Sequence, residues 1–510
     1  MGEKYKMNNT LYGRDAIDLI NEQIGAHSAG IEKALSGFET QSSFFAWLDT
    51  FRSIEELINL PFELDDPSLE NALVDLQFDE INPGKIQMIC NALNTKFGED
   101  FTQRFETTAY QCSASCSAFM ISGLVEPATG LQSVKHAIGY FQSRRRHLLA
   151  MLYSIPSMCS GKKTMERLDT LNQILPQVEI SGRTLTGLHE KKALSNIFPN
   201  FSLTVDKFGF SASHVFEPLD RLYLEPERAS IMEMVESNSD NMTETQFESV
   251  TSQSVFSAAE LRNNINLIET AYSEFSLSDS AFAPMAEFTR GCLNHCEDDY
   301  LIRLSSDQFD EIASASGLTL SMRRQIVHSG GDYTANTCAI AACIKLGDEL
   351  VSTVTLLSRF LYYWKSICLN RIKRFQIRSG FIFEESVKQA LKNQGFDVTD
   401  TKRINRKEFD VVAILDGVIF NVQCKNNMVV LDRVIADPKL FARYNRQLDR
   451  YYSRALAKEE EREKLLTDKF GLQKVRHTVV SRFAIATENP RVISYARIED
   501  FRGIVTGVEV

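Results

Sequence analysis

The stretch from Phe409 to Asn427, FDVVAILDGVIFNVQCKNN, is largely apolar yet carries a carboxylate, Asp410, near its start and an amide and an ammonium, Gln423 and Lys425, near its end. Asp416-Gly417 in its middle is the strongest short-range signal for a two-residue hairpin turn, because such a turn needs positive φ at both central positions. If these residues form the loop, Leu415 pairs with Val418, and counting outward sets Asp410 opposite Gln423 with Cβ atoms about 5 Å apart. Strand alternation puts Lys425 on the same face, one step beyond Gln423. Unpaired polar groups buried on an apolar sheet cost about 1–3 kcal/mol each, so three of them need a reason. One reading is structural, a salt bridge between Asp410 and Lys425 at the sheet end. The other is chemical. A carboxylate and an oxygen-bearing neighbour hold Mg²⁺, while the lysine positions or deprotonates an attacking water and offsets developing negative charge.

The elements that must position these groups begin with FIFEESVKQALKNQG, an amphipathic helix closed by Gly395. FDVTDTK reads as a short strand before the hairpin. RVIADPKLFARYNRQLDRYYSRALAKEEEREKLLTDKFG reads as one or two basic helices, and HTVVSRFAIAT with PRVISYARIEDFRGI as further strands. This order implies a small α/β sandwich with a mixed sheet.

Helix GFIFEESVKQALKNQGF, then FDVVAI, a turn and VQCK resemble the PD-(D/E)xK nuclease superfamily, and within it the Mrr-like restriction-endonuclease branch, over the chain from about Ser379 to its end. In that branch the second acidic position is commonly Gln, which Gln423-Cys424-Lys425 matches. The family's helix Glu matches Glu384 and its motif Asp matches Asp410. The resemblance implies Asp410 as principal metal ligand, Glu384 as a ligand directly or through water, and Gln423 with the Cys424 carbonyl as the remaining protein oxygens. Lys425 would activate water or stabilise charge, and Mg²⁺ or Mn²⁺ would be the cofactor. Glu385 and Glu408 compete for the acidic roles. A QxxxY element is matched by Gln447 and Tyr451, which share one helical face with Arg443 and Arg454 on or near it, a stripe fit for DNA backbone or for solvent. Two departures from the pattern stand out: Phe409 replaces the family's Pro, and Gln423 removes one negative charge from the metal site.

The expected fold is therefore multidomain, a mainly α-helical N-terminal region joined to a C-terminal α/β restriction-endonuclease-like domain with a mixed central sheet. The 510 residues allow two to four domains, and 44% hydrophobic with 24% charged residues is the composition of a globular chain. The expected divisions are 1–224, mainly helical; 225–254, an acidic Ser/Thr-rich linker or loop; 255–378, helical; and 379–510, the nuclease domain. Two stretches, VEISGRTLTG and FSLTVDKFGFSAS, read as short β pieces within the first region, and KLGDELVSTVTLLSRFLYYWKSICLNRIKRF as one long helix leading into the last. The net charge of −11 divides into +8 from Arg371 to the end and −19 before it, so the basic C-terminal part is the one to meet phosphate, with the acidic part restraining it.

The start lacks an apolar run, which argues against a secretory signal. The uncharged run Thr107 to Val125 reads as a packed helix, not a membrane span. Ten scattered cysteines fit a reduced, cytoplasmic setting, and the Cys112/Cys116 and Cys292/Cys296 pairs read as core thiols before zinc ligands. The expected activity is metal-dependent hydrolysis of a phosphodiester, most simply DNA cleavage, in restriction or anti-phage defence. A homodimer or larger oligomer would serve double-strand cutting, and the helical N-terminal region would receive a regulatory partner. The alternatives are a catalytically silent nucleic-acid-binding or scaffold protein that keeps the fold, and a DNA repair nuclease.

Overall fold

Among the described residues the three largest of five hydrophobic clusters are built mainly from amphipathic helices at three- and four-residue apolar spacing. The computed structural model describes residues 9–206, 209–214, 227–237, 248–249, 254–430 and 433–507. About 64% of the described residues are helical.

The first core packs helix Thr40–Asn59 against helix Val134–Met158 around Trp47, Phe51 and Phe141. Helix Glu99–Ile121 covers most of the uncharged run and buries Cys112 and Cys116. The second core gathers helices Ala258–Ala271, Phe282–Leu293 and Val354–Leu369 with a three-stranded antiparallel sheet of β4 (Leu301–Ser305), β5 (Ile344–Leu346) and β6 (Glu349–Thr353). In the third, β1 (Asn9–Tyr12), β2 (Ser202–Asp206), β3 (Gly209–Ala212) and helices Gly13–Leu35 and Arg183–Ile197 pack on the inward side of helix Pro438–Glu460. The N-terminal region is thus docked directly on the C-terminal domain.

That domain is built on a five-stranded mixed sheet in the order β13-β12-β11-β10-β7. The strands are β7 (Asp397–Thr399), β10 (Val411–Leu415), β11 (Val418–Lys425), β12 (Lys474–Ser481) and β13 (Val492–Ser494). A small ribbon of β8 (Arg403–Ile404) and β9 (Lys407–Glu408) precedes β10. β7, β10 and β11 run antiparallel in turn, whereas β12 and β13 are parallel to β11. The parallel step requires a crossover, which helices Arg433–Ala436, Pro438–Glu460 and Glu463–Phe470 supply. Helix Lys373–Asn393 covers the opposite face through Phe383, Val387 and Leu391.

Several expectations are corrected. VEISGRTLTG is helical, a π turn over Val178–Gly182 continuing into Arg183–Ile197. The alternation misleads there because Glu179 is the buried residue, held by Arg144 at 2.6 Å and Tyr140 at 2.9 Å, while Ile180 is 52% exposed. Of the other β piece, Lys207 and Phe208 lie outside the described residues and the rest is β2 and β3. KLGDELVST forms the β5–β6 hairpin, turned by Gly347 at φ 61°. The helix begins only at Val354, capped by the Thr353 hydroxyl.

A second helix starts at Lys373, so the expected boundary at 378/379 falls inside a continuous helix. Within 225–254, residues Ile231–Ser237 form a helix with Met234 fully buried; most of the remaining linker, like the start of the chain, lies outside the described residues. The basic stretch makes three helices where one or two were expected. After β13 the chain turns helical over Tyr495–Thr506, and the Ala484–Thr487 stretch is not strand.

Candidate active site

Asp416 and Gly417 take φ values of 51° and 73°, the left-handed pair that the two-residue hairpin demands. The register follows from the turn: Leu415 pairs with Val418 and Val411 with Val422. Asp410 sits in a bend just before β10, one residue past the last pair of the ladder. The Asp410 Oδ2 accepts the Cys424 backbone N–H at 2.9 Å and stands 3.9 Å from Lys425 Nζ. Lys425 Nζ in turn donates to Gln423 Oε1 at 3.0 Å. Carboxylate, amide and ammonium therefore share one face at the open end of the hairpin.

Helix Lys373–Asn393 brings Glu384 within electrostatic range of Asp410 and Lys425. Burial first, and the Asp410 charge second, push the Glu384 carboxyl up to about 7, while Lys388 and Lys425 pull the other way. Asp410 is likewise raised by burial, against the pull of Lys425 and the Cys424 N–H. The enclosed Cys424 thiol is raised well above its ordinary value by burial and by the Asp410 and Glu384 charges. The competing acids have cations of their own, although the Glu408 charge still raises Asp410. Glu385 pairs with Lys388 at 2.9 Å, and Glu408 pairs with Arg403 across the β8–β9 ribbon, both exposed.

Among the described residues no three His, Cys, Asp or Glu side chains gather as a metal-holding group. What the hairpin and helix offer a cation is a smaller set, the Asp410 and Glu384 carboxylates with the Gln423 amide oxygen. The donor chemistry fits a hard divalent ion. Both carboxyls are held above their ordinary values, chiefly by burial, so a bound cation would favour their ionised form.

Helix Pro438–Glu460 starts at an Asp437 cap with Pro438 in its first turn, and buries Phe441, Asn445, Leu448, Tyr452 and Leu456. The opposite face exposes Arg443, Gln447, Tyr451 and Arg454. Tyr451 reaches the site: the Lys425 Nζ lies 6.0 Å from its ring centroid.

Sequence reasoning missed residues that only the parallel sheet brings in. Arg482, one step past β12, donates its backbone N–H to the Lys425 carbonyl at 2.9 Å. Asn421, fully buried on β11, donates to Glu459 Oε2 at 3.0 Å and contacts His477 Nδ1 at 3.1 Å. A polar residue at the centre of VIFNVQ is the one signal that could have marked this network.

The chain matches no protein-family model, no curated protein and no solved structure.

Proposed function

We propose that this chain is a divalent-metal-dependent nuclease of the restriction-endonuclease-like kind, hydrolysing phosphodiester bonds of DNA. The observation that carries the reading is the convergence of Asp410, Gln423 and Lys425 on one hairpin face, with Glu384 electrostatically coupled to Asp410 from the facing helix. The helix, antiparallel three-strand meander, crossover helices and parallel strand are consistent with such a fold.

The catalytic roles divide as follows. Asp410 and Glu384 would hold Mg²⁺ or Mn²⁺, with Gln423 and the Cys424 carbonyl as further oxygens. The ion, when bound, supplies Lewis-acid stabilisation of the phosphate and a more acidic water. The Cys424 N–H fixes one Asp410 oxygen, which aims the other. Lys425, oriented by Gln423, presents its ammonium where negative charge grows on the phosphoryl oxygens and where an attacking water must be aligned. Tyr451 limits where that ammonium points. The Arg443, Gln447, Tyr451 and Arg454 face would track the nucleic-acid backbone. Bacterial restriction or anti-phage defence is the setting this domain pairing favours, with a dimer as the form that cuts both strands.

The deciding experiment incubates plasmid, linear duplex, single-stranded DNA and RNA with the full-length protein in Mg²⁺ and Mn²⁺. Asp410→Ala and Lys425→Ala should each abolish cutting while the thermal transition stays in place. Equal inertness of wild type and both variants on every substrate would refute the catalytic reading.

A further inference from the structure

The ends of β11 and β12 beside Lys425 are crossed by the segment 227–237, which comes from the acidic part of the chain. Its Glu233 carboxylate is gripped from two sides. Arg482 Nη2 and Nη1 reach Glu233 Oε2 and Oε1 at 2.8 and 3.2 Å, and the Ser386 hydroxyl donates to Oε1 at 2.9 Å. The segment's own Ser230 N–H completes the set at 2.7 Å from Oε2.

The gripping groups sit on the elements that carry the candidate site. Arg482 is backbone-bonded to Lys425, and Ser386 is two residues beyond Glu384 on the same helix. The guanidinium is also seated independently of Glu233, its Cζ 5.6 Å from the Phe383 ring centroid and 6.0 Å from that of Tyr495. A planar fork plus a hydroxyl, closing on two oxygens of an anion, is the arrangement by which arginine binds carboxylate and phosphate alike.

The rest of the segment ties it down at the same edge. The Glu227 carboxylate pairs with Lys365, 1% exposed, on helix Val354–Leu369. Arg228 donates to the Asn426 carbonyl, and Asn426 Nδ2 donates back to the Arg228 carbonyl at 3.0 Å. Arg482 Nε donates to the Glu227 carbonyl at 2.9 Å. Asn426 directly follows Lys425, so this strap lies against the end of the strand that carries the proposed catalytic lysine.

We propose that Arg482 and Ser386 form a binding subsite for a backbone phosphate of the nucleic acid, and that Glu233 fills it with a carboxylate in the phosphate's stead, blocking that subsite from within the chain. The identity of the ligand rests on the nuclease reading; the blocked anion subsite rests on the contacts above. Binding therefore requires the strap to give up Arg482, and the −19 part of the chain acts on the +8 part through this one carboxylate as well as through its general field.

The test uses the full-length protein without divalent metal, so that binding is read apart from cleavage. Affinity for a fluorescent duplex DNA is measured by anisotropy for wild type and for Glu233→Gln, which keeps the shape and the Ser386 contact but drops the charge. The expected result is a gain of about tenfold, since removing an intramolecular competitor frees the guanidinium. Adding Arg482→Lys or Ser386→Ala to Glu233→Gln should return the affinity to wild type or below; the lysine keeps the charge and loses the fork, and thermal melts confirm that each variant folds. Unchanged or weaker binding by Glu233→Gln overturns the proposal, as does full retention of its gain with Arg482→Lys. The two readings fail separately. A binding gain in a protein whose cleavage ignores Asp410→Ala sinks the nuclease and keeps the subsite, whereas Asp410-dependent cleavage with no gain does the reverse.

Discussion

Lys425 donates to Gln423 at 3.0 Å, closer than the 3.9 Å that separates it from Asp410. The ammonium donates to a neutral amide on its own strand, while the Asp410 Oδ2 accepts the Cys424 backbone N–H at 2.9 Å. The salt bridge between Asp410 and Lys425 expected at the sheet end is present but long, and the amide is the nearer partner.

This ordering makes substitutions at the two positions behave differently. Lys425→Met should lower the cleavage rate by about 10²–10³-fold, the usual loss when one stabilising group is removed from a developing oxyanion, with little change in DNA affinity. Gln423→Glu adds a third carboxylate and should tighten Mn²⁺ binding on the order of tenfold, as read by calorimetry. Unaltered Mn²⁺ affinity in Gln423→Glu would remove Gln423 from the ligand set.

The raised carboxyl gives a pH signature. An unfolded glutamate releases its proton near 4.5, but Glu384 in the fold holds it up to about 7. Between those values the folded chain binds more protons than the unfolded one, so stability falls as pH rises through this window. Melting temperatures in EDTA should show that decline, and Glu384→Gln should flatten it. Mg²⁺ favours the ionised carboxylates, so its stabilising shift should be larger at pH 8 than at pH 5.5.

The buried Asn421 should matter for stability without touching chemistry. Its amide is a partner of Glu459, itself 2% exposed. Asn421→Ala strips that partner and is expected to cost about 1–3 kcal/mol, measured by urea unfolding. Adding Glu459→Gln should recover part of the loss, since the group left behind is then neutral.

The exposed helix face separates backbone tracking from an idle surface. Arg443→Ala and Arg454→Ala should each lower the slope of log affinity against log salt by about one and leave the melting temperature in place. If the slope is unchanged in the double variant, the DNA path runs elsewhere.

How far the sequence revealed this arrangement depends on the range of each interaction. The hairpin was readable because Asp416 and Gly417 dictate their own turn, and strand alternation then places Asp410, Gln423 and Lys425 with no further information. Gly395, at φ 85°, closed its helix as expected for the same local reason. Arg482 was not readable. Its neighbourhood with Lys425 depends on parallel pairing of β11 with β12 across a long helical crossover, and nothing in HTVVSR encodes that register. Glu179 misled in the other direction, because a buried charge held by a distant arginine imitates the polar step of a strand. The docking of the N-terminal helices onto the Pro438–Glu460 helix was hidden likewise, since an apolar stripe names no partner.

Helix Lys373–Asn393 belongs to two cores at once: Phe375 and Ile382 sit in the middle core, Phe383, Val387 and Leu391 in the core beneath the sheet. It is therefore a rod roughly 30 Å long, with its first turns clasped by the second core and Glu384 near its centre. A tilt of about 5° about its clasped end would displace Glu384, about 16 Å along the rod, by about 1.4 Å, a shift on the scale that changes how a carboxylate meets its neighbours. Whatever leans on the second core thus has a mechanical lever on the position of Glu384.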